Sequence, residues 1–380
     1  MVMMRSRGCV RKALSFLKND TVLTVSWVLA AVSAFLVPPD REYIRYLDIH
    51  TLAMLFCLMT VMAGFQELGI FRYLAARLLG RVKKRRQLEA VLILLPFFCS
   101  MLITNDVALI TFVPFGLEVL KMSDREADSV FVVVMQTIGA NLGSSLLPMG
   151  NPQNLYLYGR SGYSVGEFAS IMLPYTLISL ALICILLFCR KNGTVSVVPK
   201  RGRIGAPGKL VFYGLLFCVC LLVVAKLLSV WIAAAVILCG TLIFDRRVLC
   251  KVDYALLLTF CGFFVFIGNL GRIPVVSGTV SRILQGHEVL IGAAASQIIS
   301  NVPAALFLSA FTERWGELMI GVNLGGLGTM IASMASLISY KYIARYSPQL
   351  RGAYFCGFTK LNLLFLAVLL GGYALIAVCF

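Results

Sequence analysis

Apolar runs close to the length of a bilayer crossing recur along the whole sequence, and the polar stretches between them are short. A helix that spans the hydrocarbon layer needs about 20 predominantly apolar residues. Runs of this kind start near residues 21, 50, 128, 166, 209, 229, 253, 318 and 354. Hydrophobic residues make up 60% of the 380 and charged ones only 13%, more apolar side chain than one soluble core encloses. The surplus must meet lipid. The sequence therefore predicts an all-α polytopic membrane protein with no room for a separate soluble domain.

Two further apolar stretches, about 88–121 and 286–311, are each broken in the middle by polar residues and Pro. The first reads LPFFCSMLITNDVALITFVPFGLEVL and the second IGAAASQIISNVPAALFLSAF. Their arms are short for a span, so each is expected to be a re-entrant helical hairpin, whose turn must lie against protein or a watery cavity.

The formal charge of +17 does not point to nucleic acid, because Lys and Arg cluster between the apolar runs, as on a chain oriented against a negative membrane face. Arg5, Arg7, Arg11, Lys12 and Lys18 precede a run from Thr21 to Val37 that is expected to be a retained first span. A cleaved signal peptide, with small residues at Ala31, Ser33 and Ala34, is the alternative. With the N-terminus in the cytoplasm, that side gains the Arg72–Arg86 cluster, Lys121, Arg125, Arg190, Lys191, Lys200, Arg201, Arg203 and Lys209. It also gains Arg246, Arg247, Lys251, Lys341, Arg345 and Arg351. The outside keeps only Arg41, Arg45, Arg160, Lys226, Arg272, Arg282 and Arg314, and the C-terminus falls there. This asymmetry fits insertion in a cell inner membrane under the positive-inside rule.

The chain also repeats itself. LITNDVALITFVPF resembles IISNVPAALFLSAF, pairing Asn105 with Asn301, a separation of 301 − 105 = 196 residues. GANLGSSLLPMGNPQNLYLY resembles GVNLGGLGTMIASMASLISY, pairing Asn141 with Asn323, a separation of 323 − 141 = 182 residues. Each half offers a span, an amphipathic segment, a broken hairpin, a Gly-broken span and a final span. The halves start on opposite sides of the membrane, which makes them inverted-topology repeats, an architecture of secondary transporters. The expected division is 1–47 (basic segment and first span), 48–188 (first repeat), 189–252 (basic cytoplasmic loop and linking spans) and 253–380 (second repeat). A capping box at Ser164-Val165-Gly166-Glu167 marks one element boundary.

Four interruptions carry the candidate chemistry: Thr104-Asn105-Asp106, Gly143–Asn154 (GSSLLPMGNPQN), Ser300-Asn301-Val302-Pro303, and Asn323–Ser336 (NLGGLGTMIASMAS). An interrupted helix frees N–H groups at one end, which suit an anion, and carbonyls at the other, which suit Na+. Asn amides serve either, and Gly and Pro let the backbone leave helical geometry. Thr104, Asn105, Ser300, Asn301 and Pro303 are the candidate substrate-binding residues. Asp106, Asn105, Gly150, Asn151, Asn154, Asn301, Gly325, Gly328 and Ser333 are the candidates for the coupling ion. For Gly325 and Gly328, close helix packing is an equal reading. A carboxylate at the bilayer centre costs about 2.5–3.5 kcal/mol, so Asp106 is expected to be protonated, cation-paired or wet. A coupling role is expected for it, with a hydrogen bond that ties the hairpin tip as the alternative. Glu67 is read as solvated, and Lys360 as snorkelling or as balancing charge near the site.

At these four segments the sequence resembles the ion-transporter superfamily, which joins sodium-coupled dicarboxylate and citrate carriers, arsenical pump membrane subunits and certain sodium/proton antiporters. The resemblance implies an elevator-type carrier, often a homodimer, with a scaffold domain and a transport domain that holds both hairpins. In the carboxylate carriers both tips read Ser-Asn-Thr. Asn105, Asn301 and Ser300 match that pattern and Thr104 nearly does, whereas Asp106 and Val302 stand where those carriers have Thr. The Asn-Asp and Asn-Val-Pro tips look more like the arsenical-pump and antiporter members. Expected, then, is a secondary active transporter of a small carboxylate or oxyanion, coupled to Na+ or H+ and needing no other cofactor. A Na+/H+ antiporter and an arsenite-type efflux carrier are the alternatives. The scattered Cys, including Cys218 and Cys220, form no CxxC pair, and His50 and His287 lack catalytic company, so neither a metal site nor an enzyme is expected.

Overall fold

The computed structural model describes residues 21–195 and 205–379; the basic residues at positions 5–18, and Lys200, Arg201 and Arg203, lie outside the described residues. Helix α1 (Thr21–Leu36) and a short α2 (Glu42–Tyr46) precede α3 (Ile49–Glu67), α4 (Ile70–Leu79), α5 (Arg85–Cys99), α6 (Asn105–Met122), α7 (Ser129–Ser144), α8 (Pro152–Ser161) and α9 (Val165–Phe188). Two linking helices follow, α10 (Pro207–Val224) and α11 (Val230–Phe244). The first order then returns as α12 (Tyr254–Gly271), α13 (Pro274–Leu284), α14 (Glu288–Ile299), α15 (Asn301–Leu308), α16 (Trp315–Leu324), α17 (Met334–Tyr346) and α18 (Arg351–Cys379). Among the described residues no strand occurs.

The starts of these helices have local causes. Asp48 accepts a hydrogen bond from the Thr51 N–H at the start of α3, and Asp253 accepts one from Leu256 at the start of α12, with nearly the same backbone angles. The Ser164 hydroxyl accepts from Glu167 N at 3.2 Å and the Glu167 carboxylate from Ser164 N at 2.7 Å, so the expected capping box is present.

Helix lengths bear on the hairpins. α14 and α15 have 12 and 8 residues, about 18 and 12 Å of helix, well short of the roughly 30 Å hydrocarbon layer. α5 and α6, with 15 and 18 residues, are longer but are cut at Ser100–Thr104. Five stretches among the described residues are long and apolar enough to cross a membrane: Ile49–Glu67, Val165–Phe188, Pro207–Val224, Tyr254–Gly271 and Pro348–Val378.

Two groups of helices pack internally. In one, α1 lies along α12, and α3 packs on α10 and α11. Close approach within it depends on small residues: a Cβ on Gly64 would meet the Tyr213 ring at 2.1 Å, and one on Gly262 would meet Ser26. At one end of the α1–α12 pair, the Arg272 guanidinium donates to Asp40 at 2.7 Å and holds that carboxyl below the usual range. In the other group, α5 and α6 pack on α7, and α14 packs on α16. Here the halves interlock. α8 packs on α15 and α16 of the later set, whereas α17 packs on α6 and α7 of the earlier one.

A buried ion cluster fixes the base of the first hairpin. Glu89 of α5 is fully enclosed and takes Arg85 at 3.0 Å and Arg190 at 3.2 Å, and Asp128, just before α7, takes Arg190 at 2.8 Å and also Arg85. One cluster thus ties α5, α7 and the end of α9. Removing one partner of a buried pair leaves the other charge uncompensated, at about 3–5 kcal/mol. Glu89→Ala is therefore expected to lower the melting temperature of detergent-purified protein clearly, and an unchanged transition would show that the cluster does not hold these helices.

Candidate functional site

The first interruption follows from the sequence at the end of α7. Pro148 and Pro152 lack N–H groups, so the helix cannot run through them, and Asn151 is extended and starts α8 by accepting from Asn154 N at 2.9 Å. Close approach forces glycine on both sides. A Cβ on Gly143 would lie 2.0 Å from the Phe97 carbonyl of α5, and one on Gly150 would lie 2.1 Å from the Ser144 carbonyl.

The second interruption, between α16 and α17, is held by Gln297 of α14. Its Nε2 donates to the Gly325 and Leu327 carbonyls at 2.8 and 2.9 Å, and its Oε1 accepts from Thr329 N at 2.8 Å. Gly328, at φ +103°, has Gln297 Oε1 2.3 Å from where its Cβ would be. One side chain thus replaces the hydrogen bonds that the interrupted helix has lost.

At the first hairpin tip, Thr104 caps α6 by accepting from Val107 N at 3.4 Å, while Asn105 accepts from Asp106 N at 2.9 Å and donates to Asn141 Oδ1 at 3.0 Å. At the second tip, Ser300 adopts a positive φ of 74°, a strained setting for a residue with a side chain. It is held by Asn301 N, which donates to the Ala332 carbonyl at 2.9 Å, and by the Ser300 hydroxyl at 3.4 Å from the same oxygen.

The two interruptions meet reciprocally. Asn151, which starts α8, donates to Asn323 Oδ1 of α16 at 3.2 Å. Ser333, 333 − 151 = 182 residues further on, precedes α17 and donates to Asn141 Oδ1 of α7 at 3.0 Å. Asn323 also donates to Asn154 at 2.6 Å. Asn105, Asn141, Asn151, Asn154, Asn323 and Ser333 are all at most 5% exposed and all uncharged. They present amides and a hydroxyl on helix ends, a set that can exchange partners with a small anion or a cation.

Beside this network lies a cavity of about 140 Å³ lined by Thr104, Asp106 and Asn151, by α3, and by Lys251, Asp253 and Leu256 at the start of α12. Asp106 Oδ1 is buried and takes no hydrogen bond. A larger cavity of about 750 Å³, lined by Arg72, Glu118 and Lys121 among others, shares Gln66 and Ile110 with the smaller one. Gln66, 3.5 Å from the Thr111 hydroxyl, stands between them.

Most predicted site residues thus converge, but not all. Asn301 is buried at the second tip, its amide against Gly326 rather than on the network. Ser300 and Pro303 line a separate apolar cavity of about 440 Å³. Gly325 serves close packing, since its Cβ would lie 2.6 Å from Ala293 Cα. Glu67 is paired with Lys251 at 3.0 Å, and Lys360 is exposed on α18. The sequence reading passed over Gln297, Gln136 and Asp253. Gln136 donates to the Leu92 and Phe112 carbonyls of both arms of the first hairpin. A lone Gln inside an apolar run was the available signal in both cases.

The glycine geometry is testable. Gly143→Ala and Gly150→Ala force backbone apart and are expected to lower the yield and melting temperature of monodisperse protein. Gly214→Ala, with nothing within 4 Å of the new methyl, should leave both intact or raise them slightly. Tolerance of alanine at 143 and 150 would contradict the close approach.

Interrupted helices that bring buried, uncharged polar groups together inside a polytopic membrane protein define a membrane transporter. The family model described as citrate transporter (CitMHS) matches residues 13–314, and the chain belongs to that family. An uncharacterized transporter of Methanocaldococcus jannaschii is 32% identical over 331 residues, covering 86% of this chain and 90% of the relative. The inner membrane protein YbiR of Escherichia coli is 28% identical over 86% of this chain and 88% of its own length. The silicon efflux transporter LSI3 of Oryza sativa is 32% identical over 143 residues, 38% of this chain and 29% of the relative. The protein is a multi-pass membrane transporter and not an enzyme.

Proposed function

We propose that the protein is a secondary active carrier that moves a small anion across the inner membrane, coupled to Na+ or H+. The reciprocal joining of the two interrupted helices carries this reading: Asn151 reaches Asn323, and Ser333 reaches Asn141. Helix ends from both repeats then face one small volume, as a carrier needs if cation and substrate are jointly to satisfy them before the site changes sides. In this reading the substrate lies between the tips at Thr104, Asn105, Ser300 and Asn301, and the cation near Asp106, Gly150 and Asn151. The two repeats are inverted in the membrane, with the N-terminus inside. The group that contains both hairpins moves against the group of α1, α3, α10, α11 and α12, which also supplies a homodimer contact.

Two observations favour an oxyanion over a polycarboxylate. Among the described residues no cationic side chain joins the amide network, and Asp106 adds an acidic group beside it, so a multivalent anion lacks a counter-charge. A relative over part of the chain is a silicon efflux transporter, which points to an oxyacid of similar size. A second reading, a Na+/H+ antiporter, draws on the unpartnered Asp106 oxygen.

Uptake by proteoliposomes under imposed Na+ and proton gradients separates them. The carrier reading expects cation movement only when an oxyanion or carboxylate is supplied, and a loss of coupling of at least tenfold in Asp106→Asn. Proton movement driven by Na+ with no anion present, abolished by the same substitution, would establish the antiporter instead.

A further inference from the structure

The two repeat-related caps Asp48 and Asp253 differ in one respect. In the first repeat the cap satisfies itself: Asp48 Oδ1 accepts from Thr51 N at 3.0 Å, and Oδ2 accepts from the Thr51 hydroxyl at 2.6 Å. In the second repeat the residue three positions after Asp253 is Leu256, which has no hydroxyl. Asp253 Oδ1 accepts from Leu256 N at 3.1 Å, and among the described residues the other oxygen takes no hydrogen bond. Asp253 is exposed, so that oxygen is open to a mobile partner, and Leu256, which offers it no hydroxyl, lines the same cavity as Asp253 itself and Asp106.

Asp106 brings the complementary half. It sits at the first hairpin tip, and its Oδ1 is buried without a partner. The remaining charged group that lines this cavity, Lys251, is engaged by Glu67 at 3.0 Å. Two carboxylates therefore share about 140 Å³, room for a cation and a few waters at about 30 Å³ each. Thr104 and Asn151 line the same space. Carboxylate, hydroxyl and amide oxygens suit a hard cation.

We propose that Asp253 and Asp106 together hold one Na+ between the first hairpin tip and the start of α12. This rests on the Na+-coupled form of the carrier reading and adds to it a residue from outside the hairpin group. Because Asp253 belongs to α12 and Asp106 to the tip, the site is whole only when the two groups stand as they do here. Movement of the tip leaves Asp253 behind, weakens the hold on Na+ and releases it on the far side.

The test is Na+-dependent thermal stabilisation of the full-length protein in detergent, with choline replacing Na+ at constant ionic strength. Asp253→Asn keeps a capping side chain but removes the charge. Leu256→Thr keeps the charge but supplies the hydroxyl that occupies the second oxygen in the first repeat. Both are expected to raise the Na+ concentration for half-maximal stabilisation at least tenfold, and Asp48→Asn is expected to leave it unchanged. Wild-type midpoints in both α12 variants, with stabilisation lost in Asp106→Asn, would overturn the role of Asp253 while the carrier reading stands. No stabilisation of the wild type by Na+ would overturn the proposal outright, and anion-dependent proton movement in liposomes would then keep the carrier reading in its proton-coupled form.

Discussion

The hydrogen bonds between the two interrupted helices are the constraint on which the rest of the structure depends. An apolar helix that stops in the middle of a membrane leaves N–H and C=O groups that lipid cannot satisfy, at several kcal/mol each. Here Asn154 donates to the Ser144 and Ser145 carbonyls at the first stop and Gln297 to the Gly325 and Leu327 carbonyls at the second, and side-chain bonds then join the two stops. Asn151 and Ser333 start the second half-helices and reach Asn323 and Asn141 at the ends of the first ones. These two side-chain bonds exist only where the two interruptions meet, so each fixes the position of one interrupted helix against the other.

The same logic places the other polar groups. The buried Gln136 and half-buried Gln297 spend their amides on backbone carbonyls, one across the first hairpin and one at the second break. Ionic groups are kept to the ends: Glu89, Asp128, Arg85 and Arg190 neutralise one another at the base of the first hairpin, and Arg314 meets Glu288 beside the start of α14. The middle is left nearly free of fixed charge except for Asp106. In a low-dielectric interior a neutral amide network costs less to bury than fixed charge, and the buried Asn141 Nδ2, without a partner among the described residues, can take one from an arriving ligand.

Much of this was legible in the sequence, because interruptions in apolar helices are read from composition. The breaks at Thr104–Asp106, Gly143–Asn154, Ser300–Pro303 and Asn323–Ser336 each contain a helix end, and the helix starts lie within a few residues of the expected ones. Asn141 and Asn323, matched by sequence, each accept a hydrogen bond from the start of the other broken helix's second half. What the sequence could not give was the crossing. Nothing local says that Ser333 reaches Asn141 across the chain, or that Asn301, matched to Asn105 in the repeat, turns to Gly326 instead. Gln297 was missed because one Gln in an apolar arm has no pattern around it, and Asp253 because its role as a helix cap hides the oxygen left over. Pro303 lines an apolar cavity, and Gly325 lies against Ala293 and Ser296, where the close packing expected as one of its two readings is present.

The claim that the two interruptions form one unit is tested most directly by a double-mutant cycle on Asn141→Ala and Ser333→Ala, read as stability of the purified protein. Residues that share a buried hydrogen bond couple by about 0.5–3 kcal/mol, whereas independent sites add to within roughly 0.3–0.5 kcal/mol. A clear coupling, with the double variant scarcely worse than either single one, is the result expected here. Strict additivity would mean that the helices are interrupted independently, and that the single site between them does not exist.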